Sequence, residues 1–185
     1  LSIQGKEFYM NQKVFKTLEY YKIIDKLTEY AASEPGKKMC RELVPSSDFN
    51  EIVQNQTETA DAVTRVRQKG GLSLSGVSDI RDSLKRLEIG SSLSIYELLS
   101  ISSLLTCAAR AKNYGRHPES ELPDDSLDEM FRALEPLTTI NNEITRCILS
   151  EDEIADDASP GLRHVRRQMK IANDRVHTQL NAILN

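Results

Sequence analysis

The feature that most limits what this chain can fold into is a run of apolar residues near its end. Leu162, Val165, Met169, Ala172, Val176, Leu180 and Ile183 recur at steps of three and four, close to the a/d seam of a coiled coil. Only a helix places that spacing on one face. Ser159-Pro160 supplies the start, an N-cap residue followed by a proline at a position whose N–H needs no intrahelical partner. One long helix is therefore predicted over 159–185, the beginning of a coiled-coil arm. Its seam can close against a segment returning in the same chain or against a second chain.

The same reading carries upstream. Val14, Leu18, Tyr21, Ile24, Leu27 and Ala31 predict one helix over 14–31. Ser33 and Pro35 start a second, which Pro45 ends. Ser46, Ser47 and Asp48 cap a longer, half-exposed helix to Lys69, closed by Gly70-Gly71. After a short connection, Ile80, Leu84 and Leu87 mark a helix ending at Gly90, and Ser94 with Glu97 form a capping box for a helix running to about Asn113. Gly115, Pro118 and Pro123 mark 114–125 as a surface loop. Ser126 and Glu129 repeat the capping-box signal, and Pro136 separates that short helix from one carrying Ile140, Ile144, Cys147 and Ile148. Two very short strands are expected around the turn Glu151-Asp152.

The chain has no Trp and 5% aromatic residues, which favours helices packed by aliphatic side chains over a sheet. The expected fold is all-α: a multi-helical core with a short β-hairpin near 148–156 and a long C-terminal helix. Its parts are 10–113 and 126–158 as helical core, 114–125 as loop and 159–185 as arm. Met10 resembles a natural initiator, so 1–9 is expected to be an appended or disordered stretch. No segment resembles a secretory signal or a membrane span, and a soluble cytoplasmic protein without a membrane partner is expected.

Little in the chain points to catalysis. A phosphate-binding loop needs clustered glycines and a lysine followed by Ser or Thr, and Gly36-Lys37-Lys38 lacks both the first Gly and that hydroxyl. Cys40, Cys107 and Cys147 show no C-x-x-C spacing and read as reduced core thiols, while His117, His164 and His177 are too scattered to chelate a metal or serve a nucleophile. Glu151, Asp152, Glu153, Asp156 and Asp157 lack the glycine turn of a calcium loop and read as a solvated turn. No catalytic, cofactor-binding or metal-binding residue is assigned. Phe49-Asn50-Glu51 has the Phe-x-Glu form of a mismatch-reading wedge, yet it opens a capped helix, so Phe49 is expected in the core or at a helix junction.

A net charge of -4 gives no global basic bias, so any nucleic-acid contact must be local. The one candidate is the cluster Arg163, Arg166, Arg167 and Lys170, with Arg175 further along the same helix. These cations either meet phosphates or flank the seam and shield it with their aliphatic stems.

Leu18-Glu19-Tyr20, Pro45-Ser46-Ser47-Asp48, Asp79-Ile80-Arg81 with Leu84-Lys85-Arg86, and Asp156-Asp157-Ala158-Ser159-Pro160 before a long helix follow one another in an order that resembles the type II branch of the MutS family. The resemblance runs from Met10 to Asn185. It implies an N-terminal core or lever region without catalytic activity, whose last helix enters the arm. It further implies that full-length relatives carry an ATPase using ATP and Mg, dimerise through it, and bear a nuclease module elsewhere. Such proteins bind branched DNA, suppress homologous recombination and in some cases split stalled ribosomes. The turn Glu151-Asp152-Glu153 departs from the family in lacking a Gly. A scaffold that associates with protein through the seam and touches no nucleic acid is the competing expectation.

Overall fold

A computed structural model describes residues 12–116 and 124–184. Met10, His117 and the greater part of the expected 114–125 loop lie outside these residues, as do 1–9 and Asn185. The described residues form nine helices and one two-stranded hairpin: α1 Gln12–Thr17, α2 Tyr20–Tyr30, α3 Glu34–Glu42, α4 Phe49–Lys69, α5 Arg81–Glu88, α6 Ile95–Gly115, α7 Asp128–Arg132, α8 Thr138–Cys147, β1 Ile148–Ser150, β2 Glu153–Ile154 and α9 Pro160–Leu184. Two compact units share them. The first takes the chain up to Asp79 together with Ser103–Pro136; the second takes Ile80–Ser102 together with the chain from Leu137 onward.

Local capping chemistry fixes several of the boundaries. Ser33 accepts the Gly36 N–H at 3.2 Å, and Asp48 accepts those of Asn50 and Glu51 at 2.8 and 3.3 Å. Gly90, at φ +78°, closes α5 in a Schellman turn: its N–H reaches the Leu87 carbonyl, and the Ser91 N–H reaches that of Arg86. The Ser94–Glu97 box forms in both directions, with the Ser94 N–H on Glu97 Oε2 at 2.8 Å and the Glu97 N–H on Ser94 Oγ at 3.3 Å. The Ser94 N–H and hydroxyl, both donating to the carboxylate, bring the Glu97 carboxyl down to about 2, with help from Ser83 and Arg86. Its protonation is therefore held off until the pH falls well below the ordinary carboxylate range.

Three expectations are corrected. The single helix over 14–31 is broken: Glu19 takes the left-handed conformation at φ 53°, ending α1 and starting α2. The break gathers Phe15, Tyr20 and Tyr21, with ring centroids 4.9 to 6.3 Å apart, and apolar spacing alone cannot foresee it. The second capping box does not form. Ser126 gives its hydroxyl and N–H to the Asp61 carboxylate at 2.6 and 3.0 Å, while Asp125 takes the Leu127 N–H, so α7 starts at Asp128. Gly115, read as loop, is the last residue of α6, where an added Cβ would lie 2.2 Å from that of Phe131.

In the first unit Ile24, Leu105, Cys107 and Ala111 are the buried apolar residues, and the same unit holds a buried ionic cluster. Arg65 on α4 is 2% exposed and Asp128 3%. Its Nε and Nη2 donate to the two oxygens of Asp125 at 2.5 and 2.6 Å, and Nη2 also donates to Asp128 Oδ1 at 2.7 Å. Asp128 Oδ2 in turn accepts the Asp125 N–H at 2.9 Å. Nη1 has no hydrogen-bond acceptor among the described residues, and the guanidinium lies 5.1 Å from the centre of the Phe131 ring. One turn away, Lys69 donates to the carbonyls of Tyr114 and Arg116, satisfying acceptors that the end of α6 leaves open. The Tyr114 hydroxyl returns a bond to the Gly70 carbonyl.

The second unit buries Ile148 and Ala155 of the hairpin and the hydroxyl-bearing Ser102, which donates to Asn141 Oδ1 at 2.6 Å. The strands pair antiparallel, Ile148 with Ile154 and Ser150 with Glu153, with an irregular register between.

Replacing Arg65 by Met removes the cation and leaves Asp128 buried beside Asp125. Urea unfolding followed by circular dichroism should then show a loss of about 3–5 kcal/mol, the cost of stranding one partner of a buried ion pair. A loss below about 1 kcal/mol would mean that water reaches these charges. Arg65 also holds the Asp125 carboxyl below the usual range. The stabilisation is accordingly complete above the unfolded value of about 3.9 and is lost as the pH falls through the lower native one. Asp125→Asn should flatten the dependence of stability on pH below about pH 4; an unaltered acid limb would assign that dependence to other carboxylates.

Candidate nucleic-acid interface

The candidate cations stand on α9, which Ser159 starts by accepting the Leu162 N–H at 3.1 Å. Proline at the first helical position and the loop before it fix where the helix leaves the hairpin. That loop, Ala155 to Ala158, is held from two sides. From α8, Arg146 donates to the carbonyls of Asp157 and Ala158 at 2.9 and 3.2 Å, and is itself gripped by Glu143 at 2.5 and 3.0 Å. From α9, Arg166 donates to the Ile154 carbonyl at 2.9 Å and to the Asp156 carboxylate, and Arg163 reaches Asp157 Oδ2 at 3.3 Å.

The five cations therefore differ. Arg163 and Arg166 are paired with the acidic loop, whereas Arg167, Lys170 and Arg175 are exposed and have no ion pair among the described residues. At about 100° per residue, Arg163, Arg166, Arg167 and Lys170 occupy one arc of the helix, centred about 130° from the centre of the apolar seam. Arg175 falls outside that arc, and only Arg166 borders the seam. Against the five cations α9 sets one carboxylate, Asp174. The helix is locally basic in a chain whose net charge is -4.

The seam is uncovered. Leu162 is half-buried where the helix starts, but from Arg167 to Ile183 every residue is exposed. Val165, Met169, Val176, Leu180 and Ile183 are between 50 and 80% exposed, and Ala172 is exposed with them. Such a stripe is what a helix presents to another helix.

The remaining chemical candidates have local roles. Lys37 and Lys38 pair with Glu34 and Glu42 on α3 at 2.7 and 3.8 Å. Asp156 and Asp157 face arginines, and no group of three His, Cys, Asp or Glu among the described residues is arranged to hold a metal ion. All three cysteines are free thiols, but the expectation that they lie in the core is corrected: only Cys107 is buried, and Cys40 and Cys147 are half-buried. Desolvation still pushes the Cys147 thiol upward. His164 and His177 are exposed on α9. Phe49 sits at the first position of α4 and is 76% exposed, so the expected place in the core is corrected to an exposed one at the start of the helix. Glu51 two residues on accepts the Ser46 hydroxyl, a bond internal to the start of the helix. The cluster that sequence reading missed is Arg65 with Asp125 and Asp128. Its partners stand 60 and 63 residues from Arg65, and no local spacing signals them. Among the described residues no helix is long and apolar enough to cross a membrane.

No protein-family model matches the chain. Its sequence is nevertheless 56% identical over 181 residues to endonuclease MutS2 of Lachnoclostridium phytofermentans, 48% identical over 176 residues to that of Agathobacter rectalis, and 47% identical over 176 residues to that of Lachnospira eligens. Each match covers 95% of this chain and 22 to 23% of the relative, so the chain spans under a quarter of the length of these proteins.

Because the seam is solvated within the chain, Leu180→Asp should change the unfolding midpoint in urea by less than about 0.5 kcal/mol equivalent. Ile148→Ala, in the buried hairpin, should cost about 2–5 kcal/mol by the same measurement. Comparable losses from the two changes would mean that α9 packs against the rest of the chain.

Proposed function

We propose that this chain, which corresponds to one segment of the endonuclease MutS2 proteins, is a non-catalytic helical core whose α9 carries phosphate-binding cations at the root of a nucleic-acid-gripping arm. The observation that carries this reading is the exposed pair Arg167 and Lys170, without ion pairs among the described residues and turned away from the apolar seam. A helix partner can occupy the seam while the basic arc stays open, so the arm need not choose between the two.

In the longer protein, ATP and Mg would serve an ATPase outside this segment, and the core would act as a lever passing its changes to the arm. Dimerisation, the nuclease activity and a cytoplasmic site of action belong to that whole protein. Branched DNA and the ribosome are its proposed targets, in suppression of recombination and splitting of stalled ribosomes respectively. Both present the phosphate backbone that such a basic arc would meet.

A second reading is favoured by the exposed seam: a scaffold that pairs through Leu162 to Ile183 and leaves nucleic acid alone. Sedimentation equilibrium with and without branched DNA, at low and moderate salt, separates the two. The arm reading expects DNA binding that weakens steeply with salt. Arg167→Ala and Lys170→Ala should each weaken it regardless of sequence and lower the salt slope by about one. A stable dimer indifferent to DNA would leave the scaffold.

A further inference from the structure

We propose that the Asp157 carboxylate stands in for a phosphate on Arg163, so that α9 offers nucleic acid fewer ready cations than its sequence carries and gains one when that pair opens. The inference rests on the nucleic-acid reading of α9 and concerns its regulation.

The two paired cations are held differently. Arg166 donates to the Ile154 carbonyl as well as to the Asp156 carboxylate and is half-buried, so it belongs to the architecture of the hairpin. Arg163 is different. Its ion pair is with Asp157 alone, at 3.3 Å, between side chains 67 and 52% exposed. Exposed pairs of this kind contribute little and exchange readily for another anion. Arg163, Arg167 and Lys170 follow at steps of four and three, so they line one side of the helix. A phosphate backbone lying along Arg167 and Lys170 would next meet Arg163, already occupied by an oxyanion.

Release of that oxyanion does not require the loop to unfold. The Asp157 backbone is anchored separately, through its carbonyl to Arg146 at 2.9 Å, and the next carbonyl is held by Arg146 as well. The Asp157 side chain can turn to water while its main chain stays in place. Arg163 then exchanges one charge-assisted hydrogen bond for another, to phosphate. Until it does, the carboxylate keeps that cation from the incoming phosphate.

The test is fluorescence anisotropy with a short labelled DNA duplex at low salt, using the 185-residue chain and four variants of it. Asp157→Asn should bind roughly two- to fivefold more tightly than the parent, the factor corresponding to an exposed ion pair. Asp82→Asn, which removes an exposed carboxylate paired with Lys85 on α5, should bind like the parent. In an Arg163→Ala background, Asp157→Asn should add nothing, because the cation that the carboxylate occupied is gone. Equal affinities of the Asp157→Asn and Asp82→Asn proteins would overturn the inference, as would a gain that persists without Arg163. In either of those cases binding by the parent leaves the nucleic-acid reading standing. Absence of binding by the parent and by every variant would overturn that reading, and this inference with it.

Discussion

The first unit depends on a guanidinium held where water is not. Arg65 is nearly inaccessible, and the chain beside it buries few apolar side chains, so directional bonds must do what a larger core does elsewhere. Its fork spans Asp125 and Asp128, and Asp128 reaches back to the Asp125 amide, so one cation fixes the entry of α7 against α4. A hydrophobic triad of similar volume could match this cluster in stability. The charges add direction: a fork offers bonds in one plane, and the Asp125 carboxylate meets two of them. With the Arg65 guanidinium above its ring, Phe131 is placed beside Gly115, where no side chain would fit. The end of α6 and the start of α7 are thus set by one long-range ionic contact.

Legibility in the sequence followed the range of the interaction. Ser33, Asp48, Gly90, Ser94 with Glu97, and Ser159-Pro160 all act within a few residues, and each lies where the spacing places it. The failures have one cause. Ser126 and Glu129 have the spacing of a capping box, but a carboxylate from α4 competes for the Ser126 hydroxyl. Glu19 interrupts a regular apolar period because aromatic rings on either side gain by meeting. In both, a contact invisible in local spacing outweighs a modest local preference. The basic helix and its seam were legible as a pattern, whereas the division of its cations was not, because Asp156 and Asp157 reach them only after the hairpin has turned the chain.

That turn links the hairpin to α9. A bulged two-stranded ribbon alone is a weak element. Here the loop leaving it is fastened to α8 through Arg146 and to α9 through Arg166, so the start of α9 is set by bonds to backbone carbonyls as well as by its proline. A long helix amplifies any change at its root: α9 extends about 36 Å along its axis, and a rotation of a few degrees at Pro160 displaces its far end by about 2–3 Å.

The basic residues stand near the pivot of that lever, where the displacement is smallest. Arg167 and Lys170 lie in the second and third turns, close enough to the root that their position is governed by the hairpin and not by the flexing of a solvated helix. The apolar seam continues well beyond them, to Ile183. On this geometry the two faces of α9 differ along its length as well as around it: the basic arc sits near the anchored end, where orientation is best defined. The distal seam lies open to solvent, where an exposed apolar stripe gains nothing from water.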